Sequence, residues 1–196
     1  MTADARTLSI YESRVSDYAR IVGPAPPPGL GEFMAHLKPG ARVLDLGCGP
    51  GDCAAALQSA GYLVDPVDAS PAMVAHAQET YGLNARLGHF DDIKDHDIYD
   101  GIWANFSLLH APKRDFPSHL AALHAALHPG GIFHIGMKLG DGEARDGIGR
   151  FYAYYREDEL TKQLEDAGFT PLENEFGAGT GLDGTRAPWI VVRSYA

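Results

Sequence analysis

Val43-Leu44-Asp45-Leu46-Gly47-Cys48-Gly49-Pro50-Gly51 is the stretch that decides the fold of this chain. A short apolar run passes into glycines at every second position, then into the Ala-rich segment Cys53 to Leu57. That order reads as a strand, a tight turn and the opening of a helix. Glycines in such a turn let the backbone approach a ligand more closely than side chains permit, with helix N–H groups aimed at it. An acidic residue, Asp68, ends the next apolar run, Tyr62 to Val67. In nucleotide-binding βαβ units an acid about twenty residues past the glycines accepts the ribose hydroxyls. The pattern implies an adenosine-containing ligand.

The glycine spacing narrows the ligand further. A dinucleotide fingerprint needs G-x-G-x-x-G/A, and its third small position is occupied here by Asp52. A phosphate-cradling P-loop continues into G-K-[ST], and no Lys follows Gly51. What remains, D-x-G-x-G-x-G over Asp45 to Gly51, resembles the first motif of class I S-adenosylmethionine-dependent methyltransferases. The cofactor that this resemblance implies is S-adenosyl-L-methionine, with S-adenosyl-L-homocysteine as product. It carries a sulfonium and an ammonium and no phosphate. Asp45 and backbone carbonyls can face those positive charges, whereas they would repel a pyrophosphate. Leu127-His128-Pro129-Gly130-Gly131 is similar to the L-x-P-G-G turn that precedes the fifth strand in the same family.

Bulk properties agree with a small-molecule enzyme. The 196 residues suit one domain, 1–196, with enough chain for a sizeable core. A net charge of -10 argues against nucleic acid or an anionic membrane as partner, because phosphate binding is driven by Lys and Arg. The start, Met1 to Ile10, lacks the apolar segment of a signal peptide, and no apolar run reaches the length of a membrane span. Cys48 and Cys53 sit inside the ligand turn, where a disulfide would distort the backbone, so both are read as reduced in a cytoplasmic protein. Oligomeric state is not readable.

Periodicity supplies the elements. Leu8, Tyr11, Val15, Tyr18 and Ile21 recur at three and four, predicting one amphipathic helix over 5–22, stopped by Gly23-Pro24 and the stiff Pro26-Pro27-Pro28-Gly29 stretch. A short helix is expected over 30–37, a strand over 42–46 and a helix over 52–60. Next come a strand over 62–67 and a helix over 71–81 that Ser70 caps with Pro71 at its first position. Further strands are expected over 84–87, 101–105 and 132–137, and a helix over 117–127. A Gly- and charge-rich loop over 138–150 precedes a helix over 157–167 and two strands, 170–175 and 189–195, joined by the Gly177 to Gly184 loop. Strands alternating with helices argue an α/β, doubly wound sheet. The resemblance implies a Rossmann-like sheet of seven strands, the last antiparallel beside the fifth. It also implies a helical lid over 1–40, a core over 41–196 and a substrate insert at about 138–156.

Ligands of such sheets sit outside the carboxyl ends of the strands. On the resemblance, Asp45, Gly47, Cys48, Gly49 and Gly51 would hold the methionine part of the cofactor, with Cys48 offering backbone rather than thiol. Asp68 would accept the ribose hydroxyls, and Ala69 and Met73 would line the adenine. Where the family has an acid two residues after strand three's end, this chain has His89, so the adenine contact is expected to shift to Asp91 with Phe90 against the ring. Asn105 and Phe106 would lie beneath the sulfonium. His110 is the catalytic candidate, either as a base for an acceptor proton or as a wall of the cofactor pocket. Tyr11 and Tyr18, seven apart, resemble the family's lid helix. Arg145, Arg150, Tyr152 and Tyr155, with Tyr154, combine fixed charge with aromatic faces, which suits an anionic or planar acceptor; a lid whose Arg pair with Asp141, Glu143 and Asp146 is the competing reading. His119, His124 and His128 are placed on a solvated face. No His, Asp or Glu set has metal spacing.

The resulting expectation is transfer of a methyl group to a small molecule, by oxygen or nitrogen rather than carbon. Two other classes remain open: a methyltransferase-like module that binds cofactor without turnover, and an NAD-dependent oxidoreductase, against which Asp52 speaks.

Overall fold

The computed structural model of the chain describes residues 4–23, 27 and 29–196. The connection expected at Pro24 to Pro28 falls largely outside them. Seven strands form one sheet in the order β3-β2-β1-β4-β5-β9-β8, and two more form a separate hairpin. The sheet strands are β1 (Arg42–Leu46), β2 (Leu63–Asp68), β3 (Arg86–Leu87), β4 (Tyr99–Asn105), β5 (Leu127–Lys138), β8 (Thr170–Thr180) and β9 (Arg186–Tyr195). β1 to β5 are parallel, while β9 runs antiparallel to both β5 and β8. The family's sheet order and its antiparallel last strand beside the fifth are both present.

Side-chain alternation divides the core between the two faces. Along β1, Val43 packs with Leu30, Phe33, Leu57 and Trp103 on one face. Leu44 and Leu46 join Leu120, Leu123, Leu160 and Leu164 on the other. The first face carries α3 (Leu30–Ala35) and α4 (Asp52–Ser59), with α5 (Pro71–Tyr81) beside α4 through Ala54, Val74 and Ala77. The second carries α6 (Phe116–Ala126) and α7 (Glu157–Asp166). Pro66 lies within β2 without disrupting the ladder. β3 pairs only with Val67 and Asp68, so at Pro66 that side of β2 has no partner needing an N–H.

Several sequence expectations are corrected. The helix over 5–22 is two helices, α1 (Ala5–Ser13) and α2 (Val15–Val22), broken at Arg14 with φ -131. Ser13 Oγ donates to the Ile10 carbonyl at 3.0 Å, an alternative to helix propagation at that turn. The loop over 138–150 contains β6 (Glu143–Arg145), paired antiparallel with β7 (Phe151–Ala153). β5 begins at Leu127 rather than Ile132, so the Pro-Gly-Gly segment lies within the strand, at a register shift. β8 and β9 extend past their expected ends because Gly177 lets the Trp189 ring lie across the neighbouring strand; a Cβ there would collide with the indole. His119 is not on a solvated face. It is 4% exposed, inside the stripe Phe116, His119, Leu120, Leu123 that α6 turns to the sheet.

Candidate active site

The turn after β1 forms one wall of a chamber at the carboxyl end of the sheet. Gly47 has φ +77, and a Cβ on it would overlap Ser107, so only glycine fits. Its amide and that of Cys48 donate to the Val67 carbonyl at 2.8 and 3.0 Å, fastening the turn to the end of β2. Asp68 is held by the Gly49 amide on Oδ2 and the Ser70 amide on Oδ1, both at 2.8 Å. Its carboxylate therefore enters the chamber in a fixed orientation, with lone pairs to spare for a ligand's hydroxyls. Burial raises its pKa, opposed by these amide bonds.

This first chamber encloses about 740 Å³, its mouth included. Of the residues expected to hold the cofactor, Gly47, Gly49, Asp68, Ala69, Met73 and Phe90 line it, with Asn105 and Phe106 from the end of β4. Tyr11 and Tyr18 close it from α1 and α2 with their rings edge to face at 5.3 Å. The Arg14 break thus leaves both tyrosines on the site. Asp45, Cys48, Gly51 and Asp91 do not line it. Asp45 is 2% exposed beneath the turn, and burial, then the charges of Asp52 and Asp68, push its pKa well up. Its Oδ2 has no hydrogen-bond partner. A buried carboxylate repelled by two others favours a cation overhead. Cys48 is buried, and burial pushes its thiol up, so it is a spacer rather than a nucleophile. Asp91 lies 3.8 Å from His119 Nδ1, away from the chamber. Sequence reading missed Asp4 at the cap of α1, Thr7 and Leu8 within that helix, and Ser107. Thr7 and Leu8 fill the helical stripe that Tyr11 marks, which was the available signal.

A second chamber of about 720 Å³, again with its mouth, lies on the other side of four shared residues: Tyr11, Tyr18, Phe106 and His110. Phe106 has φ 56, a left-handed conformation that costs about 1–3 kcal/mol in a residue with a bulky side chain. Its amide bond to the Gly136 carbonyl at 3.1 Å helps hold it there, with its ring facing Trp189 at 6.0 Å.

His110 sits in a 3-10 turn, Leu108–His110, and its tautomer follows from its partners. Nδ1 lies 2.6 Å from the Phe151 carbonyl, which can only accept, so Nδ1 carries the hydrogen. Nε2, 3.0 Å from the Tyr11 hydroxyl, is then the acceptor and Tyr11 the donor. Arg150 Nη1 donates to the same hydroxyl at 2.8 Å. Burial, chiefly, lowers the His110 pKa to about 4, so the ring is neutral near pH 7.

The residues expected to meet the acceptor separate. Arg150 and Tyr152 line the second chamber, and so do Lys138 and Trp189. Arg150 also forms a buried pair with Asp146 at 2.8 Å, so this arginine meets both competing readings. Arg145 lines neither chamber; it grips Asp4 through Nη1 at 2.9 Å and Nη2 at 2.8 Å. Tyr155 is 1% exposed, against Phe116 at 4.9 Å and beneath Lys113 Nζ at 4.4 Å. No cluster among the described residues could hold a metal.

Comparison with known proteins gives the family of the chain. Residues 18–174 match the family described as a methyltransferase domain, and the chain belongs to that family, the class I S-adenosylmethionine-dependent methyltransferases. It is 34% identical over 130 residues to carboxy-S-adenosyl-L-methionine synthase of Chromohalobacter salexigens, covering 57% of this chain and 48% of that one. An uncharacterised methyltransferase of Staphylococcus carnosus is 27% identical over 134 residues, 68% of this chain and 65% of that one. The chain spans about half the length of the synthases it matches. Among solved structures, Burkholderia thailandensis 1,6-didemethyltoxoflavin-N1-methyltransferase, with bound 1,6-didemethyltoxoflavin and S-adenosylhomocysteine, superposes with a TM-score of 0.78 at 27% identity. That match covers 97% of this chain and 87% of the other.

Proposed function

We propose that this chain binds S-adenosyl-L-methionine in the first chamber and methylates an oxygen or nitrogen of a small, planar or anionic acceptor held in the second. The observation that carries the reading is the shared wall: two chambers, one lined by carboxylates and the other by cationic side chains, meet at Tyr11, Tyr18, Phe106 and His110. Asp4 and Asp68 line the first, above buried Asp45, and Lys138 and Arg150 line the second. When bound, the cofactor supplies an activated methyl group on a sulfonium. The protein's task is then alignment and exclusion of water rather than activation. Asp68 fits the ribose, Ala69, Met73 and Phe90 the adenine, and the turn from Gly47 to Gly49 the methionine part. Asp45, whose ionised form is disfavoured by burial, would be drawn into that form by a cation overhead and face it from beneath the turn.

His110 serves as wall and positioning residue in this reading, because a neutral, buried ring fixes the Tyr11 hydroxyl at the junction of the chambers. Arg145 clamps α1 over the cofactor, and Tyr155 supports the hairpin from the core. The 1,6-didemethyltoxoflavin bound by the Burkholderia relative accords with a small planar acceptor.

The acceptor class is tested by incubating the whole chain with methyl-labelled S-adenosylmethionine and a cell extract, followed by ultrafiltration. Label is expected in the small-molecule filtrate. Label confined to protein or nucleic acid would contradict the proposal.

A further inference from the structure

Arg150 and Lys138 each bring an unspent hydrogen-bonding nitrogen to the second chamber. Arg150 is 2% exposed. Its Nε donates to Asp146 Oδ2 and its Nη1 to Tyr11, each at 2.8 Å. Nη2 also lies 2.8 Å from Asp146 Oδ2, close enough for charge attraction. No acceptor stands in line with its N–H groups, however, so its hydrogen bonds are unmade. Lys138, the last residue of β5, rests Nζ 3.9 Å from the centroid of the Tyr152 ring. Among the described residues no carboxylate pairs with it. Burial, then the charge of Arg150, lowers its pKa, opposed by the charges of Asp183 and Asp146.

Both nitrogens border one space. A Cβ placed on Gly181, in the β8–β9 loop, would lie 3.5 Å from Arg150 Nη2 and 3.8 Å from Lys138 Nζ. No Asp or Glu among the described residues lines this chamber, in a chain with 26 acidic and 16 basic residues. Two carboxylates lie close to this space, and each already accepts hydrogen bonds. Asp146 accepts from Arg150 and from the Ile148 and Arg150 amides. Asp183 Oδ1, 3.0 Å from the same point over Gly181, accepts from the Thr185 amide at 3.1 Å.

We propose that Lys138 Nζ and Arg150 Nη2 form an anion subsite that takes a carboxylate or ionised enol of the methyl acceptor. This deepens the acceptor reading above and rests on the second chamber being the acceptor's. The subsite favours a monoanion over a dianion. Its two nitrogens offer hydrogen bonds to a carboxylate, while Asp146 and Asp183 already offset the charge of Arg150 and Lys138 and would repel a phosphate dianion more strongly. Phe106, Tyr152 and Trp189 supply flat walls for the rest of the molecule. A neutral analogue that cannot accept from them would leave Lys138 Nζ and Arg150 Nη2 desolvated without an acceptor, which discriminates more strongly than loss of an apolar contact.

The probes are benzoate and its neutral counterpart benzamide, titrated into the whole chain with and without saturating S-adenosylhomocysteine and followed by tryptophan fluorescence. Benzoate is expected to bind about tenfold or more tightly than benzamide, the worth of one charged hydrogen bond. Lys138→Met should abolish that preference while keeping the wild-type unfolding midpoint. Benzoate that binds no better than benzamide, or shows no saturable binding, overturns the subsite; so does a preference that survives in K138M. If the nucleoside fails to bind while the benzoate preference stands, the methyltransferase reading fails and the anion subsite does not.

Discussion

At the scale of single residues the site depends on side chains whose partners are fixed before any ligand arrives. Asp68 is held by two backbone amides, so it meets a ribose without reorganising. Asp68→Ala should weaken S-adenosylhomocysteine binding by about 1–3 kcal/mol, measured by calorimetry; unchanged affinity would remove Asp68 from the site. His110 gives a pH prediction. Its folded-state pKa of about 4 lies below the ordinary 6.5, so its contribution to stability is complete above 6.5. As pH falls from 6.5 towards 4 the unfolded chain takes up a proton that the folded one refuses, and that contribution is lost. Burial also lowers His119 and His134, which add slope of the same sign. Wild type should therefore lose more of its unfolding midpoint between pH 7.5 and 4.5 than His110→Gln does. Equal losses would contradict a buried neutral imidazole.

At the scale of elements, the hairpin β6–β7 straps α1 down over the first chamber. Arg145 grips Asp4, the Phe151 amide donates to Thr7 Oγ1 at 2.8 Å, and Arg150 holds Tyr11. A double-mutant cycle of Asp4→Ala and Arg145→Ala, read in S-adenosylhomocysteine affinity, should show the two changes to be less than additive, since the pair is two-pronged though exposed. No coupling would mean that the hairpin does not support α1. This hairpin was the element least legible in the sequence. Its strands are three residues each, divided by glycines and charges, and they are joined by a turn that the Asp146 side chain closes on the Ile148 and Arg150 amides, a pattern too short to stand out in the sequence. β1 and α5, by contrast, were legible to the residue. An apolar run meets a glycine turn in one case, and Ser70 with Pro71 marks the start in the other. In the site, motif residues at strand ends could be read forward. Lys138 could not be, although it ends β5, because only the fold shows that its ammonium faces Arg150 across a chamber. His119 was misread because its helix's apolar stripe was not followed through a polar residue.

At the scale of the whole molecule, charge is divided along the sheet's carboxyl edge. Carboxylates gather where the glycine turn meets β2, and two cations stand where β5 meets the β8–β9 hairpin. The antiparallel β9 makes that division possible. It places Trp189 opposite Lys138 and, with β8, carries the loop of residues 181–185 over the second chamber. Asp68 would suit the ribose of either nucleotide, but the pyrophosphate of a dinucleotide would meet the carboxyl group of Asp45 beneath the turn unfavourably, whereas a sulfonium would not. The most direct test is calorimetric titration of the chain with S-adenosylmethionine, S-adenosylhomocysteine and NAD in parallel. Micromolar binding of both sulfur nucleosides and none of NAD is the result expected. Absence of binding by either sulfur nucleoside, or tight binding of NAD, would contradict the assignment of the first chamber.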